Sequence, residues 1–214
     1  AGVRRLYDRV APFYDLLTAP YHWTGAARIA DEAIRQLRLQ PGDTVVDLGT
    51  GTGRNLPALS NAVGPDGHVV GVDLSPEMLK RAAARIADHR LPNVELVEGD
   101  IATYQPLPGT TAVIATYAIE MLPDYDDVIA HLVNQMPDEG RVALVGLRDP
   151  DKWPEWLIRI GSAINRPFGV SKDYRSHRPW EAIERHTTDI TYTEAFAGAV
   201  YLAAGTTHKP DPVS

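Results

Sequence analysis

Asp47, Asp73 and Asp100 stand where an apolar run of this 214-residue chain gives way to a turn. The run Thr44-Val45-Val46-Asp47-Leu48 breaks into Gly49-Thr50-Gly51-Thr52-Gly53; His68-Val69-Val70-Gly71-Val72 ends on Asp73; Val94-Glu95-Leu96-Val97 ends on Glu98-Gly99-Asp100. Gly49, Gly51 and Gly53 let the backbone turn sharply and let a ligand approach with no Cβ in its way. A carboxylate offers two acceptor oxygens, which match the two vicinal hydroxyls of a ribose. Asp73 is therefore a candidate ribose ligand and Asp100 a candidate for adenine recognition, with Leu74 and Ile101 as apolar walls. The chemistry is that of holding a nucleoside cofactor. Each residue also has a plainer reading. The glycines suit any tight strand-to-helix turn, Asp73 suits a helix N-terminus, Gly99-Asp100 is ordinary turn chemistry, and Leu74 and Ile101 can be core. A dinucleotide fingerprint G-x-G-x-x-G needs a further glycine at position 54 or 56, where Arg54 and Leu56 stand, so hydride transfer is disfavoured.

The elements that must position these residues follow from pattern. A helix is expected from about Gly25 to Leu39, stopped by Gln40-Pro41-Gly42. Strand one is followed by a helix over about Arg54 to Ala62, and Gly64-Pro65-Asp66-Gly67 turns into strand two. Ser75-Pro76-Glu77 caps a helix running to about His89, with serine at the N-cap and proline at the first helical position. Strands over Ala112–Thr116 and Val142–Val145 flank a helix over Tyr125–Gln135. Strands alternating with helices imply a parallel sheet covered on both faces. In open α/β sheets, ligands bind in the crevice beyond the carboxyl ends of the strands, where all three acidic tips fall. Trp153 to Ile164 reads as helical. Thr187–Thr193 and Ala199–Ala203 read as strands whose link, Phe196-Ala197-Gly198, is too short for a crossover helix, so this pair is antiparallel.

Composition narrows the classes of function. The length suits one domain, 1–214, with 44% apolar residues. A formal charge of -7 argues against nucleic-acid binding, which depends on a basic footprint. With no cysteine, disulfides, thiolate metal sites and cysteine nucleophiles are excluded. No histidine and carboxylate group has metal-ligand spacing, so no metal is expected. No apolar run has the roughly 18 residues of a membrane span and no signal peptide opens the chain, so the expectation is a cytoplasmic protein.

The motifs Val45-Val46-Asp47-Leu48-Gly49-Thr50-Gly51-Thr52-Gly53, Val72-Asp73-Leu74-Ser75-Pro76-Glu77-Met78-Leu79 and Glu98-Gly99-Asp100 resemble those of the class I S-adenosylmethionine-dependent methyltransferases. The resemblance covers about residues 43 to 101 and implies a Rossmann-like, doubly wound α/β sheet of seven strands, mostly parallel with the last antiparallel. It implies S-adenosyl-L-methionine as cofactor, Asp73 on the ribose, Asp100 on the adenine amino group, Gly49 to Gly53 around the methionine part and Asp47 near its ammonium. Thr50 and Thr116 are counted with these contacts. The opening Tyr7-Asp8-Arg9-Val10-Ala11-Pro12-Phe13-Tyr14-Asp15 is similar to the signature of quinone-biosynthesis C-methyltransferases and of bacterial phosphatidylethanolamine N-methyltransferases, and Gly53-Arg54-Asn55-Leu56-Pro57 leans towards the latter. An amine head group on a small or lipid-borne substrate is therefore slightly favoured over a quinone-type carbon or a hydroxyl. Many relatives carry Phe-Asp at the start of strand four and a leucine-histidine pair after it, whereas Thr111-Ala112 and Glu120-Met121 stand here.

Methyl transfer from a sulfonium needs positioning more than covalent help. Tyr117, just past strand four, can orient an acceptor or simply pack; Glu120 can accept a proton or pair with a cationic substrate, or belong to a solvated helix. His22 and His177 are candidate general bases, or structural histidines. Residues 1–24 read as a lid with Tyr7 and Tyr14 closing over the cofactor, Tyr14 also facing the chemistry, or as a helix capping the sheet. Residues 150–185 read as a substrate-side cap. In it, Trp153-Pro154-Glu155-Trp156-Leu157-Ile158-Arg159-Ile160 is a stripe for peripheral membrane contact, for a hydrophobic substrate, or for the protein's own core. The alternatives from other classes are a nicotinamide oxidoreductase and a non-catalytic module that binds S-adenosylmethionine. Oligomeric state is not legible.

Overall fold

A computed structural model describes residues 26–148 and 177–209, together with Arg4, Asp8 and Ala11. Tyr7, Tyr14, His22 and the stripe from Trp153 to Ile160 lie outside the described residues. The elements are α1 (Ala26–Gln36), β1 (Thr44–Leu48), α2 (Leu56–Val63), β2 (His68–Asp73), α3 (Pro76–His89), β3 (Val94–Glu98), β4 (Ala112–Thr116), α4 (Tyr125–Gln135), β5 (Arg141–Leu147), α5 (Pro179–His186), β6 (Thr188–Ala195) and β7 (Val200–Thr206). They form the expected seven-stranded sheet, in the order β3-β2-β1-β4-β5-β7-β6.

β1 to β5 are parallel, and β7 runs antiparallel to both β5 and β6. The near-continuous apolar sequence of the central strands follows from burial on both faces. Val46, Leu48, Val70, Val72 and Val113 pack under α4 and α5. Their neighbours Val45, Val69, Ala112 and Ile114 point the other way, against Ile29 and Ala33 of α1 and Leu56, Leu59 and Val63 of α2. This alternation gives two cores from one sheet. Because β1 lies between β2 and β4, the chain leaves it in opposite directions on either side, and this switch point opens a crevice at the strand tips.

Local chemistry sets the boundaries. Ser75 caps α3 by accepting the Met78 N–H at 3.2 Å, with proline in the first turn, as its sequence predicts. α1 ends at Gln36, short of Leu39, because Leu37 is buried in the core and Arg38 adopts a left-handed φ of 48°. α2 begins at Leu56, not Arg54, because the Asn55 side chain is engaged elsewhere and makes no cap bond. The segment expected as a cap, 150–185, overlaps α5, whose Ala182 and Ile183 are core residues. Edge strand β6 is mostly exposed, and it is blunted by a shift in register between Thr188 and Thr191, where Asp189 has φ 50°.

Gly205 in β7 has no room for a side chain, since a Cβ there would lie 2.0 Å from Thr187 Oγ1 and 2.7 Å from its Cβ. Gly205→Ala is expected to cost about 1–3 kcal/mol through overpacking, read as a fall of several degrees in melting temperature. An unchanged melting temperature would contradict the packing described.

Candidate functional site

The loop after β1 is held across the strand tips by its own amides. Gly49 N–H and Thr50 N–H both donate to Val72 O, at 2.8 and 2.9 Å, so the loop continues the β1–β2 ladder as it turns. Gly49 has φ 70° and Gly53 φ 77°, a conformation glycine adopts without strain. Both are also crowded: a Cβ on Gly49 would lie 2.5 Å from Ala118 Cβ, and one on Gly53 would lie 2.8 Å from Leu56 Cδ1. A Cβ on Gly51 would meet only Gly49 O, at 3.9 Å, and would otherwise occupy the cleft.

The next link is Asp73. Its Oδ2 accepts the Gly51 N–H at 2.8 Å and its Oδ1 the Ser75 N–H at 2.9 Å. The Leu74 N–H is a third backbone donor to this carboxylate, and the lone pairs these bonds leave free can accept from a ligand. Burial, with the charge of Asp8, pushes the Asp73 carboxyl above its ordinary range against the backbone bonds that lower it. Ser75 Oγ donates to Asp8 Oδ1 at 2.6 Å and Arg4 pairs with Glu98 at 2.9 Å. Arg4 and Asp8 therefore lie on the β2–β3 side of the cleft.

The cleft is open to solvent and has a cavity volume of about 110 Å³. Its lining brings together most of the residues singled out in the sequence: Gly49, Gly51, Asp73, Leu74, Asp100, Ile101, Thr116 and Tyr117. Sequence reasoning missed Met78, Ala118, Met121 and Leu122, which also line it. Asp100 is exposed, with Oδ1 accepting the Ala102 N–H at 3.0 Å. Tyr117 carries φ 57°, a strained conformation for a tyrosine costing about 1–3 kcal/mol, and its N–H donates to Val145 O at 2.7 Å.

Five of the expected residues, Asp47, Thr50, Gly53, Glu120 and His177, stand outside the cleft lining. Asp47 is fully buried; Oδ2 accepts from Thr50 Oγ1 at 2.7 Å and Oδ1 from Asn55 Nδ2 at 3.2 Å. Burial pushes its carboxyl up to about 6. Asp47 therefore braces the loop and does not itself line the cleft. Thr50 braces it too, being nearly buried. Asn55, which the sequence pattern puts inside the helix expected from about Arg54, carries no local signal of this role.

Glu120 is buried, neither solvated nor in the cleft lining. Its Oε1 accepts the Leu147 N–H at 3.1 Å, while Oε2 has no hydrogen-bond partner among the described residues. His177 places Nδ1 2.9 Å from Glu120 O and its ring 5.2 Å from that of Tyr125, outside the lining as well. Among the described residues no group of three or more His, Asp or Glu side chains is placed to hold a metal. No helix among them is long and apolar enough to cross a membrane.

The family model described as a methyltransferase domain matches residues 45–140. A demethylmenaquinone methyltransferase of Listeria monocytogenes serotype 4a is 27% identical over 156 residues, covering 72% of this chain and 65% of that protein. Nocamycin O-methyltransferase of Saccharothrix syringae is 29% identical over 164 residues, covering 75% of this chain and 57% of that protein. The chain thus spans less than two thirds of the length of either relative. Among solved structures, a complex of DhpI with S-adenosylhomocysteine (SAH) superposes with a TM-score of 0.67 over 97% of each chain, at 22% identity.

Burial raises the Glu120 carboxyl from 4.5 to about 7. Between those values the folded chain binds more protons than the unfolded one, so stability falls as pH rises through that window. The burial of Asp47 acts in the same direction from 3.8 to about 6. Glu120→Gln is expected to flatten the decline, recovering on the order of 2–3 kcal/mol at pH 8 relative to pH 4.5. Urea denaturation of both proteins at the two pH values tests this, and equal slopes with pH would refute it.

Proposed function

We propose that this chain, which belongs to the class I S-adenosylmethionine-dependent methyltransferases, moves a methyl group to a small acceptor through a ring carbon or a hydroxyl oxygen of quinone or phenol type. The observation that carries this reading is the Asp73 carboxylate. It is tied to the glycine loop through the Gly51 N–H and brings its two acceptor oxygens to the border of a cleft of about 110 Å³. Those positions suit the two ribose hydroxyls, and the open side of Gly51 suits a ligand lying along the loop.

S-adenosylmethionine supplies a methyl on a positively charged sulfur, which needs no acid to leave. Asp73 holds the ribose, Asp100 accepts from the adenine amino group, and Leu74, Met78 and Ile101 form the apolar slot for the base. Asp47 and Thr50 keep the loop closed from behind. On the acceptor side, Tyr117, Ala118, Met121 and Leu122 present a largely apolar wall with one phenol. Fixing the two reactants in line can supply much of the acceleration for such a displacement.

The choice of acceptor replaces the amine head group favoured from the sequence. Support comes from two relatives whose names describe demethylmenaquinone and O-methyl transfer, and from an acceptor-side wall in which none of those four residues is a carboxylate to pair with an ammonium. Methyl-labelled S-adenosylmethionine, offered with a naphthoquinol bearing a free ring carbon, with a catechol and with phosphatidylethanolamine vesicles, is expected to label the first or second and not the third. Asp73→Ala is expected to lose at least 100-fold in SAH affinity by titration calorimetry, since two charge-assisted hydrogen bonds disappear, while keeping its circular dichroism. Labelling of the lipid alone would overturn the acceptor class, and near-normal affinity in the variant would overturn the ribose assignment.

A further inference from the structure

Asn55 joins two strands of the sheet through one nitrogen. Its Nδ2 donates to Asp47 Oδ1 at 3.2 Å and to Thr116 Oγ1 at 3.2 Å. The first bond fixes the orientation of the amide, because an ionised carboxylate only accepts and the asparagine must turn its NH₂ towards it. The Asp47 carboxylate is itself held in place by the Thr50 hydroxyl at 2.7 Å. With the amide so fixed, its second N–H occupies a lone pair of Thr116 Oγ1. The hydroxyl proton of Thr116 must then point away from Asn55, and Thr116 lines the cleft at the tip of β4.

We propose that Asn55 is a positioning residue that makes the Thr116 hydroxyl a directed hydrogen-bond donor for an oxygen atom of the ligand at the β4 tip. The argument deepens the methyltransferase reading and rests on it. A free threonine hydroxyl can rotate to donate or accept, and so suits an ammonium and an oxygen alike; here Asn55 takes one of its lone pairs and turns the proton away from itself, so the hydroxyl is biased towards donating. A buried carboxyl, an amide and a hydroxyl in series thereby set the polarity of one wall of the cleft. That polarity favours a carboxylate, carbonyl or phenolate over a cationic nitrogen. Two ligand oxygens meet the description, the carboxylate of the methionine part and an oxygen of the methyl acceptor.

Thr116→Val removes the donor with little change of shape, Thr116→Ser keeps it, and Asn55→Asp turns the donor behind it into an acceptor that draws the proton back. Titration calorimetry with SAH and with its decarboxylated analogue, alongside KM for the accepted naphthoquinol or catechol, separates the two oxygens. If the partner is the methionine carboxylate, Thr116→Val weakens SAH about tenfold and leaves the analogue unchanged. If it is the acceptor's oxygen, SAH binding is unchanged and the acceptor KM rises by a similar factor. In either case Thr116→Ser stays near wild type, and Asn55→Asp adds little on the Thr116→Val background, because both act through one hydroxyl. Full additivity of the two changes, or wild-type SAH affinity and acceptor KM in Thr116→Val, would overturn the role of Asn55 while leaving the proposed function intact. Failure of the wild-type chain to bind SAH at all would overturn both.

Discussion

The hydrogen bond from the Gly51 N–H to the Asp73 carboxylate, 2.8 Å long, joins the loop after β1 to the end of β2. A backbone donor in a loop that turns back under the sheet needs a partner, and the acidic residue at the next strand tip supplies it. Because β1 and β2 are parallel and in register, with Leu48 opposite Val72, the loop and the carboxylate arrive at the same edge. The bond therefore fixes the loop and orients the carboxylate together, at the border of the cleft. Gly53, packed against Ala82 of α3, sets the far end of the same loop.

Electrostatics reinforces the arrangement. Asp47 and Asp73 lie near enough for the charge of Asp73 to help raise the Asp47 carboxyl, after the larger effect of burial. Carboxylates gathered in a partly dry site repel one another and favour a ligand that brings positive charge, which a sulfonium does. Glu120 is a different case. It stands outside the cleft lining, where its carbonyl meets the His177 ring and its carboxyl accepts from the Leu147 N–H at the end of β5. It joins the loop after β4 to the end of β5 and to the start of α5, a structural task that its position beside Met121 in the sequence conceals.

Much of the frame was legible in the chain itself. The alternation of strand and helix patterns, the Ser75-Pro76 cap and the short Phe196–Gly198 link gave the parallel sheet, the start of α3 and the antiparallel end. These follow from local rules, since a cap, a turn length or an apolar period acts within a few residues. α5 was not foreseen, because its eight residues have meaning only once Ala182 and Ile183 meet the core beneath α4.

The sequence alone determined which residue types reach the strand tips: the glycines of the loop and the carboxylates of Asp73 and Asp100, whose spacing is tied to strand length. Only the tertiary structure decided which of them face the cleft and which brace it. Asp47 and Asp73 look equivalent in one dimension, yet one is sealed behind the loop with Thr50 and Asn55 and the other borders the open space. Side-chain direction at a strand end depends on the pleat and on what packs against it, and the partner of Asn55 at Thr116 lies 61 residues away in sequence. A contact of that kind exists only after β1 and β4 have paired.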